Sequence, residues 1–98
     1  MTFFYKLKLL SKYLVHKNWG DAENKALQEH VAYFQKAHEA GKVVLIGRTD
    51  LDISNPDNYG IVIFNAENLE AAKTFMENDP AVIFPLMNAN LQPFKIVF

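Results

Sequence analysis

A helical pattern that stops at a glycine and gives way to a wholly apolar run constrains this chain more than any other feature. Leu27, Val31, Phe34 and His38 recur at spacings of four, three and four, which sets them on one face of a helix. The pattern runs from about Ala22 to Ala40, with Asp21 placed as its N-cap. Gly41 follows, and glycine readily takes the left-handed conformation that ends helices. Val43-Val44-Leu45-Ile46 comes next. It predicts a strand over Lys42–Gly47, apolar on both faces and therefore central in its sheet. His30 lies three residues after Leu27 and four before Phe34, on the shoulder of the helix face.

The remaining segments follow the same two periods. Phe3, Tyr5, Leu7 and Leu9 alternate with Phe4, Lys6, Lys8 and Leu10, the signature of a strand with one apolar face. Ser11–Gly20 has no clean period and carries Tyr13, His16 and Trp19. A connection of that length is often functional. Arg48–Asn58 holds Pro56 among Asp, Asn and Ser residues, a dense turn signal. Tyr59–Phe64 predicts a third strand, and Glu67–Asn78 a second helix capped by Asn65 or Asn68 and stopped by Asp79-Pro80. Ala81–Ala89, interrupted by Pro85, predicts a turn or broken helix, and Asn90–Phe98 the last strand.

The resulting order is strand, helix, strand, strand, helix, strand. It defines a single α+β domain over residues 1–98 of the ferredoxin-like βαββαβ type. Two helices then cover one face of a four-stranded antiparallel sheet. Strands two and three are apolar on both sides, so the uncovered face predicts a homodimer packed sheet to sheet.

Composition narrows the function classes. Half of the residues are apolar and 13% aromatic, enough to fill a core. Net charge is −1, and the basic residues Lys6, Lys8, Lys12, His16 and Lys17 read as a solvated rim. Nothing interleaves aromatics with them as a nucleic-acid reader requires. Cysteine is absent, which excludes disulfides, thiol nucleophiles and thiolate zinc sites. No run reaches the roughly eighteen apolar residues of a membrane helix, and the first residues lead into a strand and not a secretory signal, so a cytoplasmic location is expected. His30 and His38 stand about 12 Å apart along one helix, and no His-x-x-x-His or Glu-x-x-His spacing occurs. No metal or cofactor site is expected.

Several short motifs stand in a telling order: Glu29-His30-Val31-Ala32-Tyr33-Phe34, Ala40-Gly41-Lys42-Val43, Tyr59-Gly60-Ile61 and Asn78-Asp79-Pro80-Ala81-Val82. Together they resemble the YciI-related family over about Gln28–Phe98. The resemblance implies a dimeric α/β barrel, similar to muconolactone isomerase, with a pocket holding the helix histidine and the aspartate of the Asp-Pro pair. These are His30 and Asp79 here. Where that family has Gly-Pro at the end of the second strand, this chain has Gly47-Arg48.

The candidate chemistry follows. His30 is the candidate general acid or base, and Asp79 the carboxylate that orients its ring. Asp79 before a proline also reads as a plain helix stop, and His38, within the apolar stripe, reads as packing. Arg48 is placed to clamp an anionic substrate, with Tyr33 and His16 as further substrate-binding candidates. Two functions stand against each other: an acid–base isomerase or lyase, including lactone-type substrates, acting on a small organic anion; or a non-catalytic binding or assembly module on the same scaffold. A solvent-reachable pocket at His30 marks the first. A fully buried His30 with no cavity marks the second.

Overall fold

A computed structural model describes residues 1–98. The chain forms β1 (Thr2–Leu9), α1 (Asp21–Glu39), β2 (Val43–Arg48), β3 (Gly60–Asn65), α2 (Leu69–Glu77), the short α3 (Pro80–Ile83) and β4 (Met87–Pro93). All strand pairs are antiparallel, in the order β2-β3-β1-β4. This is the expected ferredoxin-like sheet with its helices on one side.

Register shows which residues face the helices. Phe3, Tyr5 and Leu7 of β1 pair with Phe64, Val62 and Gly60 of β3, and all but Gly60 are buried. Phe34 of α1 with Ala72 and Phe75 of α2 close the main core over them. Tyr5 touches three rings at once, those of Phe34, Phe64 and Phe75, with centroids 5.6–6.2 Å away. Edge and tilted geometries such as these are the favoured arrangements of aromatic quadrupoles. A second, smaller cluster of Tyr13, Ala26, Ala81 and Leu86 packs beneath the start of α1.

Local chemistry fixes the element ends. Asn68 Oδ1 accepts from the Ala71 N–H at 2.8 Å and caps α2. Gly41 ends α1 with φ +76°, a conformation costly to any residue with a Cβ. At the start of α1, Gly20 and not Asp21 is the N-cap, because Glu23 Oε1 accepts from the Gly20 N–H at 3.0 Å. The same carboxylate accepts from Tyr13 Oη at 3.0 Å. These bonds, led by the one from its own backbone N–H, hold the Glu23 carboxyl below its usual range. They also tie the Ser11–Gly20 connection, two short 3₁₀ turns, to the helix.

Three further expectations are corrected. β2 is an edge strand, not a central one, and its residues Val44, Leu45 and Ile46 are exposed. Its apolar residues line a cleft on one side and the open sheet face on the other. The last strand is Met87–Pro93, not Asn90–Phe98. It pairs with β1 from Met87 opposite Leu9 to Pro93 opposite Phe3, and the bond from the Phe94 N–H to Thr2 O closes the ladder. The buried line of α1 is Ala26, His30 and Phe34. The stripe through Leu27, Val31 and His38 is the cleft wall, and His38 is exposed.

Candidate active site

His30 stands one turn before Phe34 on the buried line of α1. Its ring meets the Phe34 ring edge-on at 4.4 Å. Asp79 comes from the junction between α2 and α3, and α3 packs against α1. There Pro80 occupies the first helical position, which needs no N–H. Asp79 is the N-cap of α3, and its Oδ1 accepts from the Ala81 N–H at 3.0 Å.

The two side chains meet. His30 Nδ1 and Asp79 Oδ1 are 2.6 Å apart, and Asp79 is completely buried. Tyr5 Oη donates to Asp79 Oδ2 at 3.0 Å. Both carboxylate oxygens are therefore acceptors, so the imidazole nitrogen facing them is the donor. That places a proton on Nδ1; in the neutral form of the ring Nε2 then carries the lone pair. Nδ1 is committed to Asp79, and His30 is among the residues that line the cleft. No buried side-chain nitrogen or oxygen lacks a partner.

Two tyrosines record the carboxylate. Burial, reinforced by Asp79, drives the Tyr5 phenol far above its ordinary value. Burial and then Asp79 push Tyr33 up to about 12. Both hydroxyls stay protonated at any working pH and serve as donors.

The cleft lies between α1 and the β2–β3 part of the sheet and has a volume of about 1140 Å³. His30, Gln35, His38, Arg48 and Asn58 supply its polar groups, and Leu7, Trp19 and Ile46 are among its many apolar ones. Such a surface, mostly apolar with a few convergent polar groups, is the usual form of a small-molecule site. The remaining candidates are distributed unevenly. Arg48 lines the cleft. Tyr33 does not: its hydroxyl donates to Phe75 O at 2.8 Å and its ring stacks on Phe75 at 5.2 Å. His16 is exposed in the second 3₁₀ turn, away from the cleft lining. No three His, Asp or Glu side chains come together as a metal site would require.

Sequence reasoning missed Tyr5, and it placed Trp19 in a connection of functional length without giving it a role. Tyr5 reads as one more core aromatic in an alternating strand, and only the fold brings Asp79 to its hydroxyl. Trp19 lies in an unpatterned stretch. Its indole N–H donates to Tyr13 O at 2.8 Å, and the ring leans on Tyr13 with centroids 5.4 Å apart. That fixes it as a cleft wall.

The fold and this buried histidine–aspartate pair define a ferredoxin-like α+β protein with a site between its first helix and its sheet. The YCII-related domain matches residues 8–84, and the chain belongs to that family. The match begins within β1, upstream of the motifs legible by eye. No curated protein matches by sequence. Among solved structures, 5-chloro-2-hydroxyhydroquinone dehydrochlorinase (TftG) from Burkholderia phenoliruptrix AC1100, in complex with 2,5-dihydroxybenzoquinone, superposes with a TM-score of 0.70. It is 21% identical over 97% of this chain and 94% of its own, a likeness of fold.

Proposed function

We propose that this protein is an acid–base enzyme acting on a small organic anion, of the isomerase or lyase type, with His30 as the base. The observation that carries this reading is the 2.6 Å contact between His30 Nδ1 and a buried Asp79 whose oxygens also accept from Tyr5 and Ala81. A purely structural histidine has no need of a carboxylate so fully held at its back. In this reading Asp79 fixes the ring and stabilises the imidazolium formed when Nε2 takes a proton. Arg48 binds the negatively charged oxygen of the substrate. The proton leaves a carbon next to a carbonyl, and the electron pair moves through that carbon onto the carbonyl oxygen. The pair then returns to take a proton at another carbon, or expels a leaving group. The name of the TftG enzyme, a dehydrochlorinase, denotes a reaction of the second kind, which supports the reading. Tyr33 and His16 have no part in it.

The assembly belongs to the same proposal. Phe4, Ile61, Ile63 and Leu45 lie on the sheet face opposite the helices, and a second copy packed on that face forms the dimeric barrel.

The test is a screen of enolisable keto acids, lactones and halogenated hydroxyquinones by product formation, with wild type, His30→Ala, Asp79→Asn and Arg48→Ala. Turnover that falls at least about a hundredfold in His30→Ala supports the reading. Turnover indifferent to His30 sinks it. Binding without turnover in the wild type selects the non-catalytic module instead.

A further inference from the structure

Gly60 opens β3, and nothing in the fold requires a glycine there. The only glycine with positive φ is Gly41, so the backbone at Gly60 is one any residue adopts. A Cβ placed on it would meet Gly47 O at 3.5 Å, Leu7 Cβ at 3.9 Å and Arg48 Cβ at 4.0 Å, all ordinary contacts. Glycine in a strand is intrinsically unfavourable, because it has no side chain to pack and loses more freedom on folding.

What the missing side chain provides is space. Gly60 pairs with Leu7 on one side and Arg48 on the other, and these residues form one row across the sheet on the helix-facing side. All of them line the cleft that His30 and Trp19 share. The cleft floor therefore has a strip of bare backbone beside Arg48, whose Cβ lies 4.0 Å from the place a Gly60 Cβ would take. Glycine in such a position marks a close approach by a ligand. A flat ring can settle onto bare backbone, whereas a puckered or branched one stands off it. Trp19, held by its bond to Tyr13 O, supplies a rigid aromatic wall at no cost in rotamer freedom.

We infer that Gly60 is a specificity-determining residue: the ligand is a planar ring that lies on the Gly60 backbone with its anionic substituent at Arg48. This rests on the reading of the cleft as a site for a small organic anion, and it narrows that class to flat rings. It also makes a distinctive demand, since filling the glycine should harm binding without harming the fold.

The experiment titrates benzoate, 2,5-dihydroxybenzoquinone and the puckered cyclohexanecarboxylate into wild type, Gly60→Ala and Arg48→Ala, with Tm measured for each protein. Wild type should bind a flat probe more tightly than cyclohexanecarboxylate. Gly60→Ala should melt at or above the wild-type temperature and bind the flat probe about tenfold or more weakly, the effect of one methyl in a shaped pocket. Arg48→Ala should weaken every anion. Unchanged flat-probe affinity in Gly60→Ala, with Arg48→Ala still weakened, overturns the role of Gly60 and leaves the cleft reading intact. A lowered Tm in Gly60→Ala overturns it too, because the glycine is then structural. If no probe binds the wild type, or Arg48→Ala changes nothing, both readings fall.

Discussion

Asp79 combines two tasks that the sequence offered as alternatives. It ends one helical segment and caps the next through the Ala81 N–H, and with the same carboxylate it holds His30. The combination makes Asp79→Asn informative. An amide retains one acceptor oxygen but turns the other into a donor, which must then face the Tyr5 O–H or the donors at Oδ1. One buried donor is left unsatisfied, at a cost of about 1–3 kcal/mol. Denaturant unfolding should show that loss, and ¹⁵N spectra of the His30 ring should show the Nδ1–H tautomer fixed in wild type and released in the variant. An unchanged ring spectrum would mean that the carboxylate is only a helix cap.

The tyrosines give a second prediction at this scale. Burial, then Asp79, holds Tyr33 up at about 12, above the phenol's ordinary range near 10, and Tyr5 is raised further. A raised folded-state value means that the folded protein keeps protons that the unfolded chain has lost, so stability falls as pH rises. The contribution is complete below pH 10 and declines as pH climbs toward 12 and beyond. Unfolding midpoints measured across this range should drop, and Tyr33→Phe should flatten part of the drop. A midpoint that holds steady to pH 12 would contradict the burial of these phenols.

Among the elements, those with a clean period were legible and those defined by partners were not. The alternation of Phe3, Tyr5, Leu7 and Leu9 gave both the strand and its buried face, and Gly41 gave the end of α1 within a residue. The position of β2 at the sheet edge was not readable, because an apolar run looks the same whether its faces meet a core, a cleft or open sheet. The stripe of Leu27, Val31 and His38 misled for the same reason: periodicity reports a face, not what the face meets. The true buried line includes Ala26, a small residue that periodicity scarcely registers. The His30–Asp79 meeting required the tertiary fold, and only the family resemblance had paired them. Caps were half legible: Asn68 was one of two candidates for α2, whereas α1 is capped at Gly20 and not at Asp21. Asn68→Ala should cost about 0.5–2 kcal/mol by removing the acceptor for the Ala71 N–H, and a shift in the denaturant midpoint at constant m-value would report it. A variant as stable as wild type would mean that water replaces the cap without loss.

At the scale of the whole molecule the sheet has two unlike faces, and adjacent residues of β3 test them separately. Val62 and Phe64 are fully buried beneath the helices. Ile61 and Ile63 point the other way, half-buried, with Ile63 set between Phe4 and Leu45 in one row. Leu45 is 50% exposed, and the Phe94 ring extends the row by stacking on Phe4 at 5.7 Å. Toward β4 the same face turns polar through Asn88, Asn90 and Gln92, so the apolar surface fills one corner and has a rim. That arrangement suits a self-complementary contact between two copies. A charge placed at Ile63 would have to be desolvated in such a contact but would meet water in a monomer. Ile63→Glu should therefore give a folded monomer, with the wild type sedimenting as a dimer at micromolar concentration. Val62→Glu, one residue away, should not fold at all, because its carboxylate would be buried without a partner. Sedimentation velocity with far-UV circular dichroism on the three proteins decides the matter. A wild type that sediments as a monomer would refute the sheet-to-sheet dimer, as would an Ile63→Glu variant that stays dimeric.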